Sequence, residues 1–268
     1  MNAPLVMTGQ DRDRADRTSA IEVANLVKAF YDVSRDRITL AARDVSFTVR
    51  RGEFVCIVGP SGCGKTTVLR ILAGLETALG GDVRINSATE PAMVFQEASV
   101  LPWLTVAQNV AFPLSIKGVS RQKQSARVAE LLKLTGLTDF ADARPHQLSG
   151  GMRQRVSVAR ALVDDRDILL MDEPFGALDE QTRFTLQQEL LGIWERTGKT
   201  VVFITHSVDE ALTLADRVLV MSPRPGTIVA DLGIPFERPR DVVELRRDKR
   251  FWDLTYEVWN LLGTAPER

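Results

Sequence analysis

A chain of 268 residues, 44% hydrophobic and 26% charged, can bury a sizeable core, which excludes a wholly disordered protein. A net charge of -1 supplies no global basic field, so no nucleic acid partner is expected. The two cysteines, Cys56 and Cys63, lack metal-ligand spacing, which argues against a disulfide framework and for a reducing compartment.

Residues 1–20 carry DRDRADR at 11–17 and no apolar signal core, and predict a solvated, disordered lead. No apolar run approaches the roughly 20 residues that span a bilayer, so the chain is expected to be neither secreted nor membrane-spanning. From Ile21 the pattern turns to strands. Val45, Phe47 and Val49 alternate with Ser46 and Thr48, the period of a half-buried antiparallel strand. Arg50 to Glu53 reads as a turn, and FVCIV (54–58) as a strand covered on both faces. A glycine-rich loop follows, then a helix carrying Val68, Leu69, Ile71 and Leu72, capped by Gly74. Val83 and Ile85 alternate again and predict a small antiparallel sheet beside the parallel one.

The stretch 97–163 reads as a helical insert. Thr105 and Gln108 have capping-box spacing, Val128, Leu131 and Leu132 share one helical face, and Gly136 ends it. Strands return with ILLM (168–171) and VVFI (201–204), separated by an amphipathic helix bearing Phe184, Gln187, Leu190, Leu191 and Trp194. Strands alternating with helices predict an α/β fold with a mostly parallel core sheet. The catalytic unit is assigned to 21–235 and a helical extension to 236–268. In that extension Trp252, Tyr256 and Trp259 form a helical stripe expected to pack on its own domain, with Arg246, Arg247, Lys249 and Arg250 on a solvated face.

GPSGCGKTT comprises Gly59, Pro60, Ser61, Gly62, Cys63, Gly64, Lys65, Thr66 and Thr67, and matches the phosphate-loop pattern between a buried strand and a helix. Glycines let backbone N–H groups curl around phosphate oxygens at a positive helix end. Lys65 can reach the β- and γ-phosphates of ATP, and the Thr66 hydroxyl can ligate Mg2+. ILLMDEP places Asp172 and Glu173 at a strand exit, where Asp172 would hold the Mg2+ shell and Glu173 polarise an attacking water. Cys63 raises the question of thiol sensitivity, which exposure and pKa decide.

LSGGMRQR (148–155) puts Ser149, Gly150 and Gly151 at a helix start, either an ordinary helix N-terminus or a second anion site. With one phosphate loop already present, a second site suggests two chains meeting head to tail, each Ser149-Gly150-Gly151 covering the other's γ-phosphate. The order GPSGCGKTT, Gln96, LSGGM, ILLMDEP, GALD and His206 resembles the ATP-binding subunit of ABC transporters, from about Ile21 to Arg240. EASVLPWLTV, THSVDEAL and MSPRPGTI narrow the resemblance to the nitrate/sulfonate/taurine uptake branch.

That resemblance implies ATP hydrolysis with Glu173 as base, Gln96 touching metal and water, Asp179 in contact across the dimer, and His206 on the γ-phosphate. It puts an aromatic ring on adenine, Phe30 by spacing with Tyr31 as the alternative. Met152 departs from the commoner glutamine, at a side chain that is not the phosphate donor. Implied partners are a second ATPase copy, a permease and an external substrate-binding protein, with the chain peripheral on the cytoplasmic face of the inner membrane. In QEASVLPWL the 97–104 loop would be the apolar contact for the permease rather than local core. The cargo stays open among nitrate, taurine, alkanesulfonates, bicarbonate and thiamine pyrimidine precursors. A non-transport ABC ATPase acting on DNA or ribosomes would carry a long coiled coil or two fused domains. This sequence has one motif set and no heptad run. A phosphate-loop small-molecule kinase would have no use for LSGGM and His206.

Overall fold

Burial patterns sort the strands into two sheets in the computed structural model, which describes residues 19–33, 36–176 and 178–263. Strands β1 (Ser19–Asp32), β2 (Arg37–Arg50) and β3 (Phe54–Val58) are followed by helix α1 (Lys65–Leu72), β4 (Gly80–Ile85) and β5 (Ala92–Val94). Helices α2 (Val106–Ile116), α3 (Arg121–Leu134) and α4 (Gly150–Leu162) come next, then β6 (Ile168–Asp172), α5 (Glu180–Thr197) and β7 (Thr200–Thr205). The order closes with α6 (Val208–Leu214), β8 (Arg217–Met221), β9 (Ile228–Gly233), α7 (Val242–Leu245) and α8 (Lys249–Gly263). Strand β1 begins at Ser19, two residues inside the expected lead; residues 1–18 of that lead lie outside the described residues.

The larger sheet has order β5-β6-β7-β3-β8-β9, parallel except for β9. Every residue of β3 is buried because its two faces meet different layers. Phe54, Cys56 and Val58 join the core under α4, α5 and α6. Val55 and Ile57 join a second core with α1 and the antiparallel sheet β2-β1-β4, through Ile21, Val23, Val45, Phe47 and Val49. Continuous apolar sequence is what such two-sided coverage requires, while β2 alternates because its other face meets solvent.

Helices α2 to α4 lie between β5 and β6 in sequence and pack on the first core through Val110, Val128, Leu131, Leu132 and Val156. Both halves of the Thr105–Gln108 capping box form at the start of α2. Gly74 and Gly136 close α1 and α3 with left-handed turns, as their sequence positions predict. At the C-terminus, α8 buries Phe251, Thr255 and Val258. The Trp252, Tyr256, Trp259 stripe, expected to pack inward, instead faces out at 51%, 70% and 57% exposure. Helical periodicity finds a stripe but not its direction, and the residue 100° away won the core.

Candidate active site

Parallel neighbours end on the same edge of a sheet, so the loops after β3, β6 and β7 converge. That register brings the phosphate loop, Asp172-Glu173 and His206 together. Gly64 opens α1 with φ +109°, and an added Cβ would lie 2.5 Å from the Ala41 carbonyl oxygen, so only glycine fits. Lys65 is buried, and its Nζ donates to the carbonyls of Gly59 (2.8 Å) and Pro60 (3.1 Å). Ser61, Gly62, Gly64, Lys65, Thr66 and Thr67 line a cleft of about 520 Å³ together with Phe30, Tyr31, Gln96 and Glu173. Gly59, Pro60 and Cys63, from the same loop, do not line this cleft. Cys63 is buried, and burial raises its thiol pKa against the opposing charge of Lys65, which answers the question of thiol sensitivity in favour of an inert group.

The Thr66 hydroxyl donates to Asp172 Oδ1 at 2.9 Å across the strand ends. Burial raises the Asp172 carboxyl pKa, the Thr66 bond opposes that, and the charge of Glu173 adds to it. A hydroxyl and a carboxylate this close are hard oxygen donors that fit Mg2+, which takes few protein ligands and completes its shell from phosphate and water. Glu173 has φ +43°, a strained conformation for a side-chain-bearing residue. Its N–H is tied to the Ile204 carbonyl of β7 and its own carbonyl accepts from Gly176. That strain turns the carboxylate toward two partners: Gln96 Nε2 at 3.3 Å and His206 Nδ1 at 2.9 Å, both on Oε2.

Both aromatics stand at the cleft and are exposed. Lys28 Nζ lies 4.9 Å from the Phe30 ring centre, whereas the Tyr31 hydroxyl donates to Asp36, a bond that raises the Tyr31 pKa. Ser149 caps α4 by accepting from Met152 N, and Asp179 caps α5 by accepting from Thr182 N at 2.9 Å. Ser149, Gly150, Gly151 and Asp179 do not line the 520 Å³ cleft of their own chain. Gly150 lines a second cavity of about 620 Å³, which shares Gln96 and Glu173 with the first and also holds His206. Within one chain the Ser149-Gly150-Gly151 segment therefore reaches Glu173 through that second cavity but does not line the cleft of the phosphate loop.

Sequence reasoning missed Asn109, a buried amide whose Oδ1 accepts from Leu101 N (2.8 Å) while Nδ2 donates to the carbonyls of Leu101, Leu104 and Thr105. This staple fixes the 101–105 turn and holds Trp103 out at 65% exposure. Beside it, Leu75, Met93, Phe95, Pro113 and Arg160 line a groove of about 320 Å³, linked to the loop by Arg160 donating to the Ser99 carbonyl (2.7 Å). Ser207 and Glu210 sit at capping-box spacing at the start of α6, where only one of the two cap bonds forms. Ser207 accepts from Glu210 N, but the Glu210 carboxylate is taken by Thr205 Oγ1 at 2.5 Å.

Residues 42–176 match the family model described as ABC transporter. A taurine import ATP-binding protein, TauB, of Pelagibacter ubique (strain HTCC1062) is 44% identical over 85% of this chain and 89% of its own length. An uncharacterized ABC transporter ATP-binding protein of Methanocaldococcus jannaschii is 44% identical over 90% of this chain and 91% of its own. Among solved structures, the dimeric post-hydrolysis state of an ATP-binding cassette bound to ADP and phosphate aligns with TM-score 0.73 and 32% identity. That alignment covers 81% of this chain and 100% of the cassette.

Proposed function

The chain belongs to the ABC transporter family as an ATP-hydrolysing subunit, and from that premise we propose that two copies of it energise uptake of a small anion of the nitrate, sulfonate or taurine type through a partner permease. The observation that carries this is the division of the site: Lys65 and Thr66 line the phosphate-loop cleft, whereas Ser149, Gly150 and Gly151 do not, Gly150 reaching only the adjoining cavity that holds Gln96, Glu173 and His206. Two chains meeting head to tail would complete two sites, and the similar cassette is itself dimeric.

In the proposed cycle Lys65 and the loop N–H groups hold the phosphates, and Phe30 or Tyr31 stacks on the adenine. Glu173, oriented by Gln96 and His206, takes a proton from the attacking water, a contribution of about 10² to 10⁴ in rate. Thr66, Asp172 and Gln96 would hold Mg2+, which supplies charge neutralisation of the phosphates when bound. Asp179 would contact the partner copy. Closure converts nucleotide occupancy into movement of the permease, and a binding protein outside the membrane delivers the cargo. Among the described residues no helix is long and apolar enough to cross a membrane, which suits a peripheral subunit on the cytoplasmic face.

The permease contact is assigned to the 97–104 loop and the adjoining groove. An exposed Trp103 on a turn clamped by Asn109 offers a rigid apolar anchor, and Gln96 ties the same loop to Glu173. Trp103→Glu is the test. It should leave ATP affinity and melting temperature of the isolated chain unchanged and abolish co-purification with the partner permease. Loss of folding in the isolated variant would return the loop to the role of local core.

A further inference from the structure

Arg224 has no part in the mechanism above, yet it stands at the lip of the nucleotide cleft. It comes from the β8–β9 turn, residues 222–227, between Pro223 and Pro225, whose rings fix the backbone on either side. The turn is closed by Ser222: its N–H donates to the Thr227 carbonyl (2.9 Å), and its hydroxyl accepts from Thr227 N (3.0 Å). It is also fastened to β2 and lies close against the phosphate loop. Gly226 exchanges backbone bonds with Ala41 (3.1 Å) and Arg43 (2.9 Å), and a Cβ there would lie 2.1 Å from the Cys63 carbonyl oxygen. Only glycine permits this approach, so the turn and the phosphate loop form one rigid unit.

From that mount the Arg224 Nε donates to the Gly62 carbonyl at 2.9 Å. Its two terminal nitrogens have no acceptor, and it makes no ion pair, among the described residues. The cleft lining holds two cations, Lys65 and Arg224, and Lys65 already shares its charge with two loop carbonyls. A nucleoside triphosphate brings several negative charges, and a guanidinium with two free nitrogens matches phosphate oxygens in geometry and charge. We propose that Arg224 is a second cationic contact for the phosphate chain of the bound nucleotide: Nε holds the loop at Gly62 and the terminal nitrogens hold the ligand. This rests on the assignment of the cleft to ATP.

The test is titration of the full chain with a fluorescent ATP analogue at low and high salt, for wild type, R224Q, R224K and K65A. R224Q should bind about tenfold more weakly than wild type, the scale of one lost charge-assisted contact. The deficit should shrink in high salt, and R224K, which keeps the charge, should recover part of the affinity. A purely structural role would lower the melting temperature of R224Q without moving its affinity or its salt dependence. That result would overturn the proposal, as would R224Q affinity within twofold of wild type. If wild type bound no better than K65A, the nucleotide assignment itself would fall, and the inference with it.

Discussion

Replacing Arg240 by methionine should destabilise the chain without touching nucleotide binding. Burial pulls this guanidinium down to about 10, far above neutral, so it is charged at pH 7. Nη1 donates to the carbonyls of Leu212 (3.4 Å), Thr213 (3.1 Å) and Ala215 (2.7 Å), which end helix α6, while Nε and Nη2 both donate to the Phe236 carbonyl. It thus caps α6 and stitches the C-terminal extension to the domain. Arg240→Met leaves four buried carbonyls without this partner, at about 1 kcal/mol each. Relief from burying a cation offsets part of that, leaving about 3 kcal/mol. For a chain of this size that is roughly 6–12 °C in melting temperature, measured by circular dichroism. Arg240→Lys, with three donors on one nitrogen, should fall between. ATP affinity at 25 °C should not change, because Arg240 does not line the cleft. A melting temperature within about 2 °C of wild type would refute the reasoning.

Asp164 is held by Lys117 at 2.6 Å and Arg166 at 2.8 Å; burial raises its pKa, but the two cations outweigh that and the net shift is down. A depressed folded pKa stabilises above the unfolded value, so the urea-midpoint gap between wild type and Asp164→Asn should hold from pH 7 to about 4 and shrink below. A gap that widened in acid would contradict this. Cys56 and Cys63 are both buried, with thiol pKa values raised chiefly by burial. Ellman's reagent should therefore find no reactive thiol in the native chain and two after denaturation; one fast native thiol would be inconsistent with the packing of Cys63.

What could be read in advance is what local chemistry dictates. The phosphate loop needs its glycines and lysine in sequence, a strand buried on both faces needs unbroken apolar residues, and Thr105 finds its cap three residues on. The residues that escaped notice take their roles from distant partners. Asn109 matters because of a turn four to eight residues away, Arg224 because its turn folds onto Gly62, and Arg240 because α6 ends beside it. Glu210 stands at capping-box spacing from Ser207, but Thr205 and Arg183 compete for its carboxylate, and no spacing rule sees that competition. The outward aromatic stripe of α8 failed for a related reason: neighbouring faces of one helix were both apolar, and tertiary packing chose Phe251, Thr255 and Val258.

The central claim is that two copies of this chain close on ATP and that Glu173 then drives hydrolysis. Light scattering on purified Glu173→Gln, with ATP and Mg2+, measures it directly. The account predicts a stable dimer retaining unhydrolysed ATP, reverting to monomer when Ser149 is also replaced by a bulky residue. A variant that stays monomeric while turning ATP over at the wild-type rate would contradict it.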